Sequence, residues 1–156
     1  MCWTGYRDCK QIAKKDIPCK KIIAYNKVFR TYTSWFTRNI DYSIGKTYSE
    51  TIMVYNRTGA SWCRDIVDIR EGLHCFDDRL ESKEKWVDVF RHIIIGSYSF
   101  ESTQFATVMP VLVDCIIPKG ATYYVNVRGE IVTNQLKLVK IHEFNKETDS
   151  DTGKET

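Results

Sequence analysis

Apolar and polar positions between residues 111 and 141 follow the period of β-strands. Two β-rich runs, at 111–117 and 130–141, flank a segment that contains Pro118, Gly120 and Gly129. Proline removes a backbone donor and glycine tolerates positive φ, so these residues predict a turn after the first run and another before the second. We therefore expect two strands joined through this punctuated segment.

The run 130–141 is predicted to be a half-buried strand. Val132, Leu136 and Leu138 fall on one parity, which only Asn134 interrupts, so that parity should face the core. Glu130 opens the strand directly after a glycine, and Asn134 shares its parity. Gln135 is expected on the opposite face unless a bulge intervenes.

The rest of the chain predicts an α+β domain that is mainly antiparallel β with one or two helices. Asp78 and Glu81 form a capping box for a helix over 79–91. Residues 1–19 form a mixed leader, in which 8–16 could form one or two helical turns. Residues 1–142 are predicted to be a single globular domain and 143–156 an acidic flexible tail. Strands are expected at 21–30, 47–55, 71–76 and 107–117.

Composition and charge favour a folded protein with an anionic partner. The chain has 156 residues, of which 43% are hydrophobic, so a hydrophobic core is expected. Residues 143–156 carry five acids and two lysines, which leaves 21 basic and 15 acidic residues in 1–142, a net charge of +6. This balance favours a nucleotide-like small molecule, whereas nucleic acid is disfavoured because no dense Lys/Arg run is present.

Cysteine usage and hydropathy predict a cytoplasmic protein without a metal site. No run is long and apolar enough to span a membrane, and the opening MCWTGYRDCK is too polar for a signal peptide. The six cysteines should therefore be reduced, and their spacing matches no common zinc pattern. Cys75 and Cys115 lie within apolar runs and are expected to behave as small hydrophobic residues.

The order of these parts resembles the ADP-ribosyltransferase fold. A strand ends in Arg30, GLHCF follows at 72–76, then a helix, then strands that lead to GEIVTNQLKLV at 129–139. In the branch that contains the poly(ADP-ribose) polymerases, a strand of similar shape to GLHCF keeps a tyrosine where this chain has His74. The family's catalytic glutamate opens a late strand, as Glu130 does here.

This resemblance implies a role for each matching residue. Glu130 would be the catalytic residue of an enzyme that uses NAD, stabilising the positive charge that develops on the ribose. His74 would contact the nicotinamide or a ribose, and Arg30 would hold the diphosphate. Asn134, and more weakly Gln135, are predicted to bind the same ligand. The structural alternatives are a core histidine, a solvent-facing turn glutamate and a surface ion-pair arginine.

A second resemblance concerns origin. Runs such as IAKKDIPCKK and CIIPKGATYY are similar to those of small accessory proteins of tailed phages and gut bacteria, which would place the chain in a bacterial cytosol.

Three functions follow as hypotheses. The first is binding, with or without sequestration, of an NAD-like, ADP-ribose-like or cyclic nucleotide immune signal. Such binding would evade host defence, and no cofactor is predicted for it with certainty. The second is mono-ADP-ribosyl transfer from NAD to a host target.

The third hypothesis is a structural or protein-interaction component of a phage. Trp3, Trp35 and Trp62 would then anchor an interface with a host protein or with a second copy of the chain.

Overall fold

The computed structural model describes residues 3–34, 40–56, 65–78, 83–91 and 107–143. Antiparallel β-structure dominates these residues, which confirms the expected mainly antiparallel class, and one α-helix accompanies the strands within them. In chain order the elements are β1 (Trp3–Tyr6), β2 (Lys10–Ile12), β3 (Ile17–Asn26), β4 (Thr31–Thr33), β5 (Asp41–Tyr42), β6 (Thr47–Ser49), β7 (Val54–Asn56), β8 (Ile66–Ile69), β9 (Leu73–Phe76), α1 (Lys83–Val89), β10 (Val108–Ile117), β11 (Thr122–Val125), β12 (Glu130–Thr133) and β13 (Gln135–Ile141).

The larger sheet curls back on itself. Its strands lie in the order β2-β11-β12-β9-β3-β10-β13-β6, and β4 and β5 extend it beside β3. Strand β12 pairs with β9 while β13 pairs with β10, and both β9 and β10 flank β3. Because β12 runs directly into β13, these five strands enclose a space in which apolar side chains pack.

This enclosed space is the inner core. It contains three thiols, of Cys19, Cys75 and Cys115, and all four described cysteines are free. The side-chain hydrogen bond between Cys19 and Cys75, together with burial, raises the pKa of Cys19, and burial raises the pKa of Cys115. The thiols of Cys19 and Cys115 therefore stay protonated. All three cysteines pack among apolar side chains, as predicted for Cys75 and Cys115.

A second core lies on the outer face of the β11–β12 hairpin. The small sheet β1-β8-β7 covers this face, and Trp3, Val67, Ile69, Tyr124 and Val132 fill the interface. The Trp3 ring is 1% exposed, stands edge-on to Tyr124 at 5.7 Å, and donates from Nε1 to the Glu130 carbonyl at 2.7 Å. Only hydrogen fits at position 5, because a Cβ there would meet the Trp3 ring at 2.4 Å.

Residues 1–19 are thus more than a leader segment. The predicted helical turns over 8–16 are wrong, since Arg7–Cys9 is a single 3₁₀ turn and β2 follows it directly. Trp3 cannot anchor an external interface because it is buried in the second core. Trp35 and Trp62 lie outside the described residues, as does the expected tail from residue 144 onward.

The expected single strand over 130–141 is two strands separated by Asn134. The Asn134 backbone N–H donates to the Thr122 carbonyl at 3.1 Å, and Asn134 Oδ1 accepts from the Thr122 N–H at 2.9 Å. The prediction that Val132, Leu136 and Leu138 share one face is wrong. Val132 packs in the second core, whereas Leu136 and Leu138 pack in the inner core. The break at Asn134 reverses the alternation of side chains.

The predicted helix over 79–91 is present in its described part as α1, and Phe90, just beyond it, is buried. Within the described ranges, no helix has both the length and the apolar character needed to cross a bilayer. Those same ranges contain no group of three or more metal-ligating side chains.

A partly buried charge network lies on the outer side of β3 and β10. Lys20 donates from Nζ to Asp78 Oδ1 at 2.5 Å and lies 3.2 Å from Asp114 Oδ1, which His142 Nδ1 also contacts at 2.7 Å. Burial opposes the charge of Lys20, but the hydrogen bonds to Asp78 and Asp114 outweigh it and raise the pKa of Lys20. The ammonium therefore holds together β3, β10 and Asp78, which lies two residues after the end of β9.

We expect Lys20→Met to destabilise the protein by about 2–3 kcal/mol, because it removes the ammonium that Asp78 and Asp114 share. The raised pKa means that this contribution is complete below the ordinary lysine value of 10.5 and is lost as pH rises through the higher folded-state value. The difference in unfolding free energy between wild type and K20M, measured by urea denaturation, should be constant from pH 7 to 10 and shrink above it. Lys27→Met, at an exposed lysine, is the matched control and should be nearly neutral. Equal effects of the two substitutions would contradict the role of Lys20.

Candidate functional site

The turn between β11 and β12 is organised by the side chain of Asn126. Its Oδ1 accepts from the backbone N–H groups of Arg128 and Glu130, each at 3.0 Å. The Gly129 N–H donates to the Asn126 carbonyl at 3.0 Å, and Gly129 has a φ of 78°, which glycine adopts without steric cost. This turn places Glu130 at the first position of β12.

The carboxylate of Glu130 lines a cavity between this turn and the first residues of the chain. We call it the hairpin cavity, and its volume is about 610 Å³. Asn126 Nδ2 donates to Glu130 Oε1 at 3.0 Å and to the Thr4 carbonyl at 3.0 Å, so the carboxylate orientation is fixed. The lining residues are Thr4, Gly5, Tyr6, Cys9, Ile66, Val125, Asn126, Val127, Arg128 and Glu130.

These residues combine three kinds of contact in one place. Glu130 is an acceptor for hydroxyl groups, Arg128 is a permanent cation with a planar fork of donors, and Tyr6 is an aromatic ring that is 54% exposed. Such a set can bind a molecule that carries hydroxyls, a phosphate group and a flat ring.

Asn134 and Gln135 line a different cavity, which we call the bend cavity. Its volume is about 590 Å³, and its lining residues are Lys10, Ser49, Glu50, Thr51, Ile52, Val54, Thr122, Tyr124, Asn134 and Gln135. The two amides share this cavity because the strand is broken between β12 and β13. In an unbroken strand, Asn134 and Gln135 would point to opposite faces. Of these two cavities, which described residues line, Glu130 lines the hairpin cavity and the two amides line the bend cavity.

His74 is half-buried in the sheet, where it lies opposite Val132 in the β9–β12 register. Its Nε2 lies 2.9 Å from the Arg70 carbonyl, and because a carbonyl only accepts, Nε2 carries the proton. Nδ1 is buried, and no described residue donates to it. Burial lowers the pKa of His74 to about 4, with a smaller contribution from the charge of Lys21, so the ring is neutral at physiological pH.

Arg30 is exposed in the turn between β3 and β4, with a φ of 54°. Neither Arg30 nor His74 lines the hairpin or the bend cavity. The register does place His74 and Glu130 as diagonal neighbours on one face of the β9–β12 pair. The predicted site residues are thus divided among two cavities, one half-buried position in the sheet and one exposed turn.

Sequence reasoning missed Asn126, Arg128 and Tyr6. The segment Asn126–Gly129 carries a usable signal, because an asparagine three residues before a glycine is typical of a side-chain-stabilised turn. The sequence shows no partner for His142, yet the fold places its Nδ1 2.7 Å from Asp114 Oδ1.

We expect the neutral state of His74 to make stability depend on pH. In the unfolded chain His74 binds a proton below its ordinary pKa of 6.5, whereas in the folded protein it does so only near pH 4, so acidification favours unfolding in this window. The wild-type protein should lose about 3 kcal/mol more than His74→Gln between pH 7.5 and 4. Unfolding free energies from urea titrations at each pH measure this difference. Parallel pH profiles for the two proteins would contradict the burial of a neutral imidazole.

Comparisons of this chain with protein-family models, curated proteins and solved structures found no match in any of the three. The candidate site therefore rests on the geometry and chemistry of its own residues.

Proposed function

We propose that the protein binds an anionic nucleotide of the NAD or ADP-ribose type in the hairpin cavity and holds it without chemical change. The observation that carries this proposal is that Glu130 and Arg128 line one cavity of about 610 Å³, a size in the usual range of small-molecule sites. A phage-type accessory protein of this kind would sequester a nucleotide that signals infection in the bacterial cytosol.

Each part of such a ligand has a matching group in the cavity. The Glu130 carboxylate, oriented by Asn126, accepts hydrogen bonds from ribose hydroxyls. The Arg128 guanidinium pairs with a diphosphate through parallel N–H donors. The exposed ring of Tyr6 offers a face on which a base can stack.

Long-range electrostatics supports the same ligand class. The net charge of +6 over residues 1–142 raises the local concentration of anions around the protein. Among the described residues that line the cavity, Arg128 is the only cation and Glu130 the only carboxylate, so a ligand that carries both an anionic group and hydroxyl donors suits it best. A nucleoside diphosphate with free ribose hydroxyls meets both requirements.

Isothermal titration calorimetry with ADP-ribose tests this assignment. Arg128→Asn should weaken binding about tenfold to a hundredfold, because it removes charge-assisted hydrogen bonds to the diphosphate. Arg30→Asn is the matched control, since asparagine tolerates the left-handed conformation at position 30 and the same charge is lost outside the cavity. The affinity of R30N should equal that of the wild type, and the ligand should be recovered intact.

If R30N loses affinity and R128N does not, the diphosphate binds at the β3–β4 turn, which is the position that the family resemblance implies for it. Absence of heat with NAD, ADP-ribose and cyclic nucleotides would overturn the proposal and favour a structural or protein-interaction role.

A mono-ADP-ribosyltransferase that uses NAD is the second candidate. The observation in its favour is that Glu130 opens β12 with its carboxylate in the cavity lining, which is the position that the ADP-ribosyltransferase resemblance gives to the catalytic glutamate. A carboxylate there would stabilise positive charge on the ribose as nicotinamide leaves. His74 does not line this cavity, so the family's tyrosine position has no counterpart in it.

If transfer occurs, lysate proteins incubated with tagged NAD and the wild-type protein should be labelled. Glu130→Gln should lower the labelling rate at least a hundredfold, because the amide cannot stabilise the developing charge. Asp77→Asn, a matched removal of one carboxylate after β9, serves as the control. Equal labelling by E130Q and the wild type would exclude Glu130 from the reaction.

A further inference from the structure

The bend cavity has three sides, which are built from four separate stretches of the chain. Residues 49–54, which connect β6 to β7, form one side, and Lys10, Thr122 and Tyr124 of the β2–β11 pair form another. Asn134 and Gln135, at the break between β12 and β13, complete it. Hydrogen bonds of the Asn134 backbone to Thr122 and Glu50 hold these stretches in place.

The cavity presents an amide that the fold does not use. Gln135 lies opposite Ser49 in the β13–β6 register, and its side-chain amide makes no hydrogen bond with any described residue. Asn134 is different, because its Oδ1 already accepts from the Thr122 N–H at 2.9 Å. Gln135 therefore offers a donor and an acceptor side by side to a ligand.

The remaining lining describes the shape and charge of that ligand. Ile52, Val54 and Tyr124 provide apolar walls, and the charges of Lys10 and Glu50 cancel. An uncharged flat ring suits such walls, and a glutamine amide matches the adjacent N6 donor and N7 acceptor of adenine. We propose that the bend cavity is a second binding site, separate from the hairpin cavity, for an adenine nucleoside whose base edge is held by Gln135.

The test is a calorimetric titration of the full chain with adenosine. Gln135→Leu should weaken adenosine binding about tenfold or more, because it removes both hydrogen bonds while keeping a side chain of similar size. Gln11→Leu is the matched control, since Gln11 is exposed on β2 and hydrogen-bonds Tyr123 outside the cavity. Its adenosine affinity should equal that of the wild type.

Inosine provides an independent check on the proposed contact. It carries an oxygen acceptor where adenosine carries the N6 donor. The wild-type protein should therefore bind inosine about tenfold or more weakly than adenosine. Q135L should bind the two nucleosides with similar affinity. Equal affinity of adenosine and inosine in the wild type, or an unchanged affinity in Q135L, would overturn the assignment.

Two further outcomes separate this site from the hairpin cavity. Loss of adenosine binding in Glu130→Gln would locate the nucleoside in the hairpin cavity. This result would overturn the second site, even if ADP-ribose binds to the hairpin cavity as proposed. Adenosine binding that depends on Gln135 but not on Glu130 would support the second site, even where ADP-ribose fails to bind.

Discussion

The packing of Trp3 against the β11–β12 hairpin is the constraint on which both cavities depend. Its indole is almost fully buried between the two sheets, and its Nε1 donates to the Glu130 carbonyl. Truncation of a buried aromatic of this size typically costs about 3–5 kcal/mol, so one side chain near the start of the chain secures the hairpin. The hairpin cavity lies beside the turn end of this contact and the bend cavity beside the other end of the same hairpin.

The hairpin therefore serves two structural purposes. Ile131 faces the inner core and Val132 the second core, so β12 is buried on both faces and cannot shift register without exposing apolar side chains. Because this rigid pair carries Glu130 at its start and is followed by Asn134 and Gln135, it presents polar side chains from a fixed backbone. Such support is what a binding site needs if it is to hold a ligand in one orientation.

Two titratable groups, the buried Lys20 and the half-buried His74, show how burial and partners together decide charge. Lys20 keeps its proton more strongly than usual because two carboxylates surround it. His74 loses its proton more easily because burial disfavours its charged form and Lys21 lies nearby. The same desolvation acts on both, and the presence or absence of a carboxylate determines the outcome. His74 therefore stabilises the fold as a neutral side chain, while Glu130 and Arg128 remain accessible in the hairpin cavity.

The sequence by itself determined the mainly antiparallel β character, the strands that the structure places at 73–76 and 108–117, and a helix whose described part is 83–89. It could do so because local periodicity and turn residues act over short distances. It also identified Glu130 as the first residue of a strand after a glycine turn. The break at Asn134 could not be derived from alternation, because it depends on hydrogen bonds to Thr122 and Glu50. Arg128 and Tyr6 meet Glu130, and Gln135 meets Ser49, only through long-range pairing of strands, and such pairing is decided by the tertiary structure.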